Sequence, residues 1–248
     1  MPTLPVVTFP GFTAVSGTLL NASTVLIGAL IGLSIGNRLP ERIRSSLFTV
    51  LGLFTVFVGI SNALKSANPL IVLGSLLIGT LIGEIINIDG GLKALGDWAQ
   101  KRFSRGGSHF SEGFVTSSLI FCVGPLTILG SLENGLTGDT TKLAIKSVLD
   151  GFAAIGFAAT LGGGVLLSVL TILLVQGSLS LFAGALAPVL GQGSPALLEL
   201  TATGGVILIA LGINLLDLRQ IRAASMLPAL LLAPVLVGIT SAIKLPFH

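Results

Sequence analysis

The sequence reads as an all-α, polytopic transmembrane helical bundle of about eight spans, one domain over residues 1–248. Three observations lead there. Of 248 residues only 13 are Lys or Arg and 10 are Asp or Glu, 9% in all against 52% hydrophobic, where a soluble domain carries about a quarter charged residues. Mean hydropathy is +1.00, and apolar runs of the ~20 residues that cross a bilayer recur along the chain. The basic residues, finally, sit in short loops between those runs. A soluble enzyme, a disordered chain and a nucleic-acid-binding protein are excluded. The pI of 9.4 reflects a net charge of only +3.

The first span is expected near 17–36. No Lys or Arg precedes Arg38, so the start lacks the charged region of a secretory signal and reads as a permanent helix. Gly28, Gly32 and Gly36 share one face of it, where bare backbone lets a neighbouring helix approach closely. The second span falls near 43–64 and the third near 69–88, where Gly79 and Gly83 repeat the spacing. These glycine faces would serve packing within the chain or a homo-oligomer.

The loop 89–112 carries Leu92, Leu95, Ala99 and Phe103 near helical spacing, with Trp98 beside them and Lys93, Lys101 and Arg102 interleaved. That pattern fits a short amphipathic helix lying in the cytoplasmic interface. The fourth span, near 113–132, holds Gly124-Pro125 midway, where proline removes a backbone donor and kinks or breaks the helix. The fifth, near 143–161, ends at Gly162-Gly163-Gly164, read as a turn. The sixth, near 165–189, is interrupted by Gln176-Gly177; two half-helices there would leave seven full spans. The seventh and eighth fall near 197–216 and 223–243.

With eight spans, Arg38, Arg42, Arg44, Lys93, Lys101, Arg102, Arg105, Arg219 and Arg222 share one face, leaving Lys65, Lys142, Lys146 and Lys244 on the other. The richer face is expected in the cytoplasm and both termini outside. A weak repeat is also readable. A shift of 153 sets Leu47, Gly52, Gly59 and Ile60 on Leu200, Gly205, Gly212 and Ile213, and Gly83 falls near Gly238. Spans one to three would then match six to eight as an inverted repeat, an arrangement common among secondary transporters.

Ionisable groups inside spans are costly and therefore informative. Asp150 follows Lys146 by four residues and opens a long uncharged stretch, so it is a candidate proton or cation site or one half of a structural ion pair. Glu133 and Glu199 end the fourth span and open the seventh, and with Asp150 they would ring an outward vestibule. Thr201 and Thr203 offer hydroxyls one turn deeper. Asn21 and Asn214 are amides that need partners in lipid. Glu84 would serve the cytoplasmic end of a pathway. His109 and His248 form no ligand pair, Cys122 stands alone in an apolar run, and no nucleotide or hydrolase motif occurs. No metal, cofactor or catalytic set is therefore expected, and no enzyme.

The segments Gly17-Thr18-Leu19-Leu20-Asn21, Arg38-Leu39-Pro40-Glu41-Arg42, Glu112-Gly113-Phe114-Val115, Lys146-Ser147-Val148-Leu149-Asp150-Gly151, Glu199-Leu200-Thr201-Ala202-Thr203-Gly204-Gly205, Gly212-Ile213-Asn214-Leu215-Leu216 and Leu227-Pro228-Ala229 run in order along the chain. This set resembles the bacterial membrane family called domain of unknown function 554, the YdfK/YqgA-like proteins. Ser225 departs from the Asn expected there, so that position receives no role. The resemblance implies a multi-pass protein of the bacterial inner membrane, of a kind treated as transporters, and it names no solute. The expected function is a secondary transporter or permease for a small polar or ionic solute, coupled to protons or a cation. A passive channel and a non-transporting scaffold are the alternatives, and the expected partners are the lipid bilayer and an unidentified small solute or ion.

Overall fold

The structure, a computed structural model, describes residues 10–36, 40–91, 94, 98, 110–122 and 125–242. Its helices are α1 (Pro10–Gly36), α2 (Glu41–Ala63), α3 (Pro69–Ile86), α4 (Phe110–Cys122), α5 (Pro125–Thr137), α6 (Thr141–Leu161), α7 (Gly164–Leu181), α8 (Ala183–Leu190), α9 (Pro195–Leu215) and α10 (Pro228–Ala242). A 3-10 turn, Ala223–Met226, precedes α10, and no strand occurs among the described residues. Most of the amphipathic segment expected in 89–112, with Leu92, Lys93, Leu95, Ala99, Lys101, Arg102 and Phe103, lies outside the described residues, as do Arg38, Arg105, His109, Gly124 and Lys244.

Local chemistry sets several boundaries. Pro69 and Pro195 open α3 and α9, where the missing N–H costs nothing. The side chains of Asn68 and Ser194 accept the free amides of Leu70 and Leu197 at 3.1 and 3.2 Å, as N-caps do. The triple glycine is the turn it was expected to be: α6 stops at Leu161, and Gly162 takes φ 81°, a left-handed backbone that a side chain would strain. The sixth span differs from expectation. Helix α7 runs unbroken through Gln176-Gly177, and the interruption comes at Phe182, between α7 and α8. An intact i→i−4 ladder tolerates a single glycine at a cost of about 1 kcal/mol.

Among the described residues, seven helical stretches are long and apolar enough to cross a membrane: those of α1, α2, α3, α6, α7 and α9, and α10 with its 3-10 turn. Helices α4 and α5 meet at a bend of 59°. Their contacts advance along α7 from its first turn to its last: Phe110 packs on Gly164, Ser118 hydrogen-bonds Thr171, and Gly135 lies against Ser180. The bent pair thus traverses the same depth as α7 and reads as an eighth crossing. Outward faces are apolar, with Ile27, Phe54, Phe57, Leu81, Phe152 and Leu231 all more than half exposed. Such a surface would drive aggregation in water and suits lipid.

Helix α9 is the central column, with 72% of its spanning window buried against 24% for α2. Helices α1 and α6 run parallel through the glycine face of α1. A Cβ at Gly28, Gly32 or Gly36 would overlap the carbonyl oxygens of Gly151, Ile155 and Ala159. Gly79 and Gly83 meet Ala229 and Ser225 of the turn and helix that follow α9. Both glycine faces are therefore consumed inside the chain rather than offered to a second copy. Helices α2 and α9 cross antiparallel, Gly59 on Gly205 and Gly52 on Gly212. These are residues that the 153-residue shift aligns, and their contact adds nothing that tests the repeat, since any antiparallel pair of helices obeys the same relation.

Short connections alternate the helix ends between two faces. One face holds Gly17, Glu133, Lys142 and Glu199; the other holds Glu84, Asn214 and Arg222. They are called here the Glu133 face and the Glu84 face.

Candidate functional site

Asp150 stands about two and a half turns into α6. It is 7% exposed and Lys146 5% exposed, and the Lys146 ammonium binds Asp150 Oδ2 across one helical turn. Asn21 of α1, fully buried, donates its Nδ2 to the same oxygen at 3.0 Å. A buried carboxylate is tolerated only when paired and hydrogen-bonded, and Asp150 is both. Asn21 reaches it because the neighbouring glycines let α1 lie directly on α6.

The trio stands beside the break in the eighth crossing. Phe121, in the last turn of α4, packs in one cluster with Ala22 of α1, the neighbour of Asn21, and with Ala154 of α6, one turn beyond Asp150. The break leaves carbonyls of α4 without helical partners, and Thr127 of α5 donates its hydroxyl to the Phe121 carbonyl at 3.1 Å. Helix α4 itself is rich in hydroxyls. Ser117 bonds back to Gly113 at 2.6 Å, and Ser118 pairs with Thr171 of α7 at 3.0 Å.

At its other end, α4 lines a cavity of about 650 Å³ on the Glu84 face. Ser111, Glu112 and Thr116 of α4 contribute, with Asn214, Gln220 and Arg222 across from them. One helix of 13 residues, about 18 Å of rise, thus leads from the cavity to the ion pair.

The remaining candidates have separate tasks. Glu199, 1% exposed, accepts the Ser66 hydroxyl at 2.7 Å and the amides of Ala67 and Asn68 at 2.8 Å each. It holds the α2–α3 turn and the amide-bearing start of α3, where a negative charge is favoured. Glu133 pairs with Lys142 at the surface. The vestibule of three carboxylates expected from sequence is therefore not assembled: Asp150, Glu133 and Glu199 each have their own partners, and none is shared. Among the described residues no three His, Cys, Asp or Glu side chains come together as a metal site.

Asn214 lines the cavity while its amide also holds the chain beyond α9: Nδ2 donates to the Ile221 carbonyl and Oδ1 accepts the Ile221 amide, both at 2.7 Å. Glu84 meets Arg222 at 2.8 Å on the same face. Thr201 and Thr203 are buried in α9, and their hydroxyls have no hydrogen-bond partner among the described residues.

Sequence reasoning missed a second group. Thr18, Ser131, Gln176 and Ser180 are each at most 2% exposed. Their polar side-chain atoms, and Oδ1 of Asn21, find no partner among the described residues. The signal was present at Gln176, an amide in an otherwise apolar run, but it read as a helix interruption.

The order of these parts along the chain matches a known family. Residues 16–238 fit the family model described as "Protein of unknown function (DUF554)". The chain belongs to the DUF554 family. It is similar to the "Uncharacterized protein YqgA" of Escherichia coli (strain K12), 36% identical over 225 residues that cover 88% of this chain and 94% of that one. It is also similar to the "Uncharacterized membrane protein YdfK" of Bacillus subtilis (strain 168), 31% identical over 235 residues, 93% of this chain and 99% of the relative. No solved structure matches. This DUF554 chain is a multi-pass membrane protein, as its helices and the YdfK relative agree.

Proposed function

We propose that the protein is a secondary transporter of a small ion or polar solute, coupled to a proton or cation, in a bacterial inner membrane. The observation that carries this reading is the buried Lys146–Asp150–Asn21 cluster at the break of a crossing helix. Ionisable side chains at bilayer depth are costly, and in membrane proteins they mark ion and proton pathways. Interrupted helices are tolerated at that depth where they line a cavity or a site. The cavity on the Glu84 face and the hydroxyl-bearing α4 supply the approach from one side. The charge bias of the loops orients the Glu84 face toward the cytoplasm and both termini outward.

A scaffold is the second reading, and one observation favours it. Among the described residues the buried acids Asp150 and Glu199 each have hydrogen-bonding partners within the protein, as a structural role requires. The unpartnered amide of Gln176 weighs the other way, because a scaffold gains nothing from it. Asp150→Asn decides between them in sealed vesicles made from cells expressing the protein. A carrier loses gradient-driven uptake at least tenfold while the variant stays monodisperse in detergent. Uptake at the wild-type rate and with wild-type pH dependence would remove Asp150 from the mechanism. Absence of any protein-dependent flux from the wild type would leave the scaffold.

A further inference from the structure

The cavity on the Glu84 face gathers charges of both signs. Its lining includes two carboxylates, Asp89 and Glu112, and one guanidinium, Arg222, together with the hydroxyls of Ser111 and Thr116 and the amide of Gln220. They come from three stretches far apart in sequence: the helical turn after α3, the first turns of α4, and the connection from α9 to α10. At about 650 Å³ the space falls in the range of small-molecule sites, roughly 300–1,000 Å³.

Its walls are held by contacts that need no solute. Asn214 clamps Ile221, the residue before Arg222, through both ends of its amide at 2.7 Å. Three residues beyond Arg222, the Ser225 carbonyl lies so close to Gly83 of α3 that a Cβ there would overlap it. The backbone that carries Arg222 is therefore fixed on both sides. Ala223 and Ala224, 2% and 1% exposed, seat the same connection in the core. On α4, the Phe110 carbonyl lies equally close to Gly164, which opens α7, and this contact fixes the turn that carries Glu112. Groups held in place before binding lose less freedom when a ligand arrives.

Charge then selects the solute. A lone anion drawn to Arg222 would face two carboxylates, and a lone cation drawn to those would face the guanidinium. A molecule with one charge of each sign meets an opposite charge at both ends and adds no net charge to the cavity. Arg222 has donors to spare for it. It gives Glu84 one N–H, from Nη1 at 2.8 Å, and a guanidinium carries five in a planar fork. The Arg222 and Glu84 side chains are 70% and 41% exposed, and an exposed pair of this kind is weakly held.

Building on the transporter reading, we infer that this cavity is a binding site for a small zwitterionic solute, an amino acid or a molecule of the same chemistry. The solute's ammonium group donates to the carboxylates of Asp89 and Glu112. Its carboxylate accepts from the edge of the Arg222 guanidinium that Glu84 does not occupy. Ser111, Thr116 and Gln220 offer hydrogen bonds to a polar body. Binding is non-covalent, and no proton or electron changes hands.

The test is equilibrium binding to the purified full-length protein in detergent at neutral pH, read as thermal stabilisation. The probes are the standard amino acids, each compared with the amine and the carboxylic acid that lack one of its charges. At least one amino acid should raise the melting temperature, and its singly charged counterparts should bind at least tenfold more weakly. Arg222→Gln should lower affinity for that amino acid at least tenfold. Asp89→Asn combined with Glu112→Gln should do the same, and it decides the matter if the Arg222 variant does not fold. Glu84→Gln breaks the same ion pair from outside the cavity lining, and it should bind the amino acid no more weakly than the wild type. The inference is overturned if no amino acid stabilises the wild type, or if a singly charged counterpart binds as tightly as its zwitterion. It is overturned equally if a folded cavity variant keeps wild-type affinity, or if Glu84→Gln loses as much as Arg222→Gln. Amino-acid binding without protein-dependent flux would overturn only the transporter reading, and flux of another solute without amino-acid binding would overturn this site alone.

Discussion

Glu199 offers the sharpest test of how the carboxylates divide their tasks. Its carboxylate receives three hydrogen bonds, from Ser66 Oγ, Ala67 N and Asn68 N, at 2.7 to 2.8 Å. Hydrogen bonds to a charged acceptor contribute about 1.5–3 kcal/mol each, and the start of α3 adds roughly 0.3–1 kcal/mol through its dipole. These terms are not additive, and the freed amides lie at the membrane face, where water can replace part of what is lost. Glu199→Ala should therefore cost roughly 3–5 kcal/mol. Glu199→Gln keeps an acceptor at Oε1 for both amides and lets Ser66 turn to accept from the new NH₂, so about 1–2 kcal/mol should go. Thermal unfolding in detergent can be followed with a fluorogenic thiol reagent that reports exposure of Cys122, the single cysteine. A large drop in melting temperature for Ala, with more than half of it recovered in Gln and flux retained by Gln, fits a structural clasp. If Glu199→Ala melts like the wild type but abolishes flux, Glu199 belongs to the transport site and the reasoning fails.

Further expectations follow from the same contacts. Gly32→Ala places a methyl group on the Ile155 carbonyl and should cost about 1–3 kcal/mol, read as a lower melting temperature and a smaller monodisperse fraction. Asn214→Ala removes both hydrogen bonds to Ile221 and should cost roughly 2 kcal/mol, with faster proteolysis of the α9–α10 connection. Asp139, in the α5–α6 turn, has its pKa lowered by the Thr141 hydroxyl and then by the Thr141 amide. Because the folded-state value is depressed, its contribution is present above the ordinary carboxylate range and fades as pH falls through the lowered value. The wild-type advantage over Asp139→Asn in melting temperature should accordingly shrink below about pH 4.

The spans were legible because lipid demands long apolar runs and glycine punctuates them: the turn at Gly162-Gly163-Gly164 and the packing faces at Gly28 and Gly79 followed from one-dimensional spacing. The crossing made by α4 and α5 was expected as one span near 113–132 interrupted at Gly124-Pro125; the 59° size of its bend and its extension to Thr137 along α7 are visible only in the structure. At the site, Lys146 and Asp150 were legible as an i,i+4 pair, whereas the Asn21 donor comes from 129 residues away. Glu199 misled because an acid at a helix start looks solvated in sequence, and nothing local shows that another helix begins against it. Gln176 was overlooked because Gln-Gly resembles a turn signal, and only burial shows that the helix continues.

The distance in sequence between Asn21 and Asp150 has a consequence for biogenesis. At a synthesis rate of ~5–20 residues per second, the 129 residues separating them take about 6 to 26 seconds to emerge. Throughout that interval the first helix waits in or beside the insertion machinery with an unsatisfied amide, while the residues it will grip are still untranslated. Assembly must close from the late segments back onto the earliest one, so truncation before Asp150 should leave a set of N-terminal helices, α1 to α5, that the cell's membrane quality control recognises and degrades.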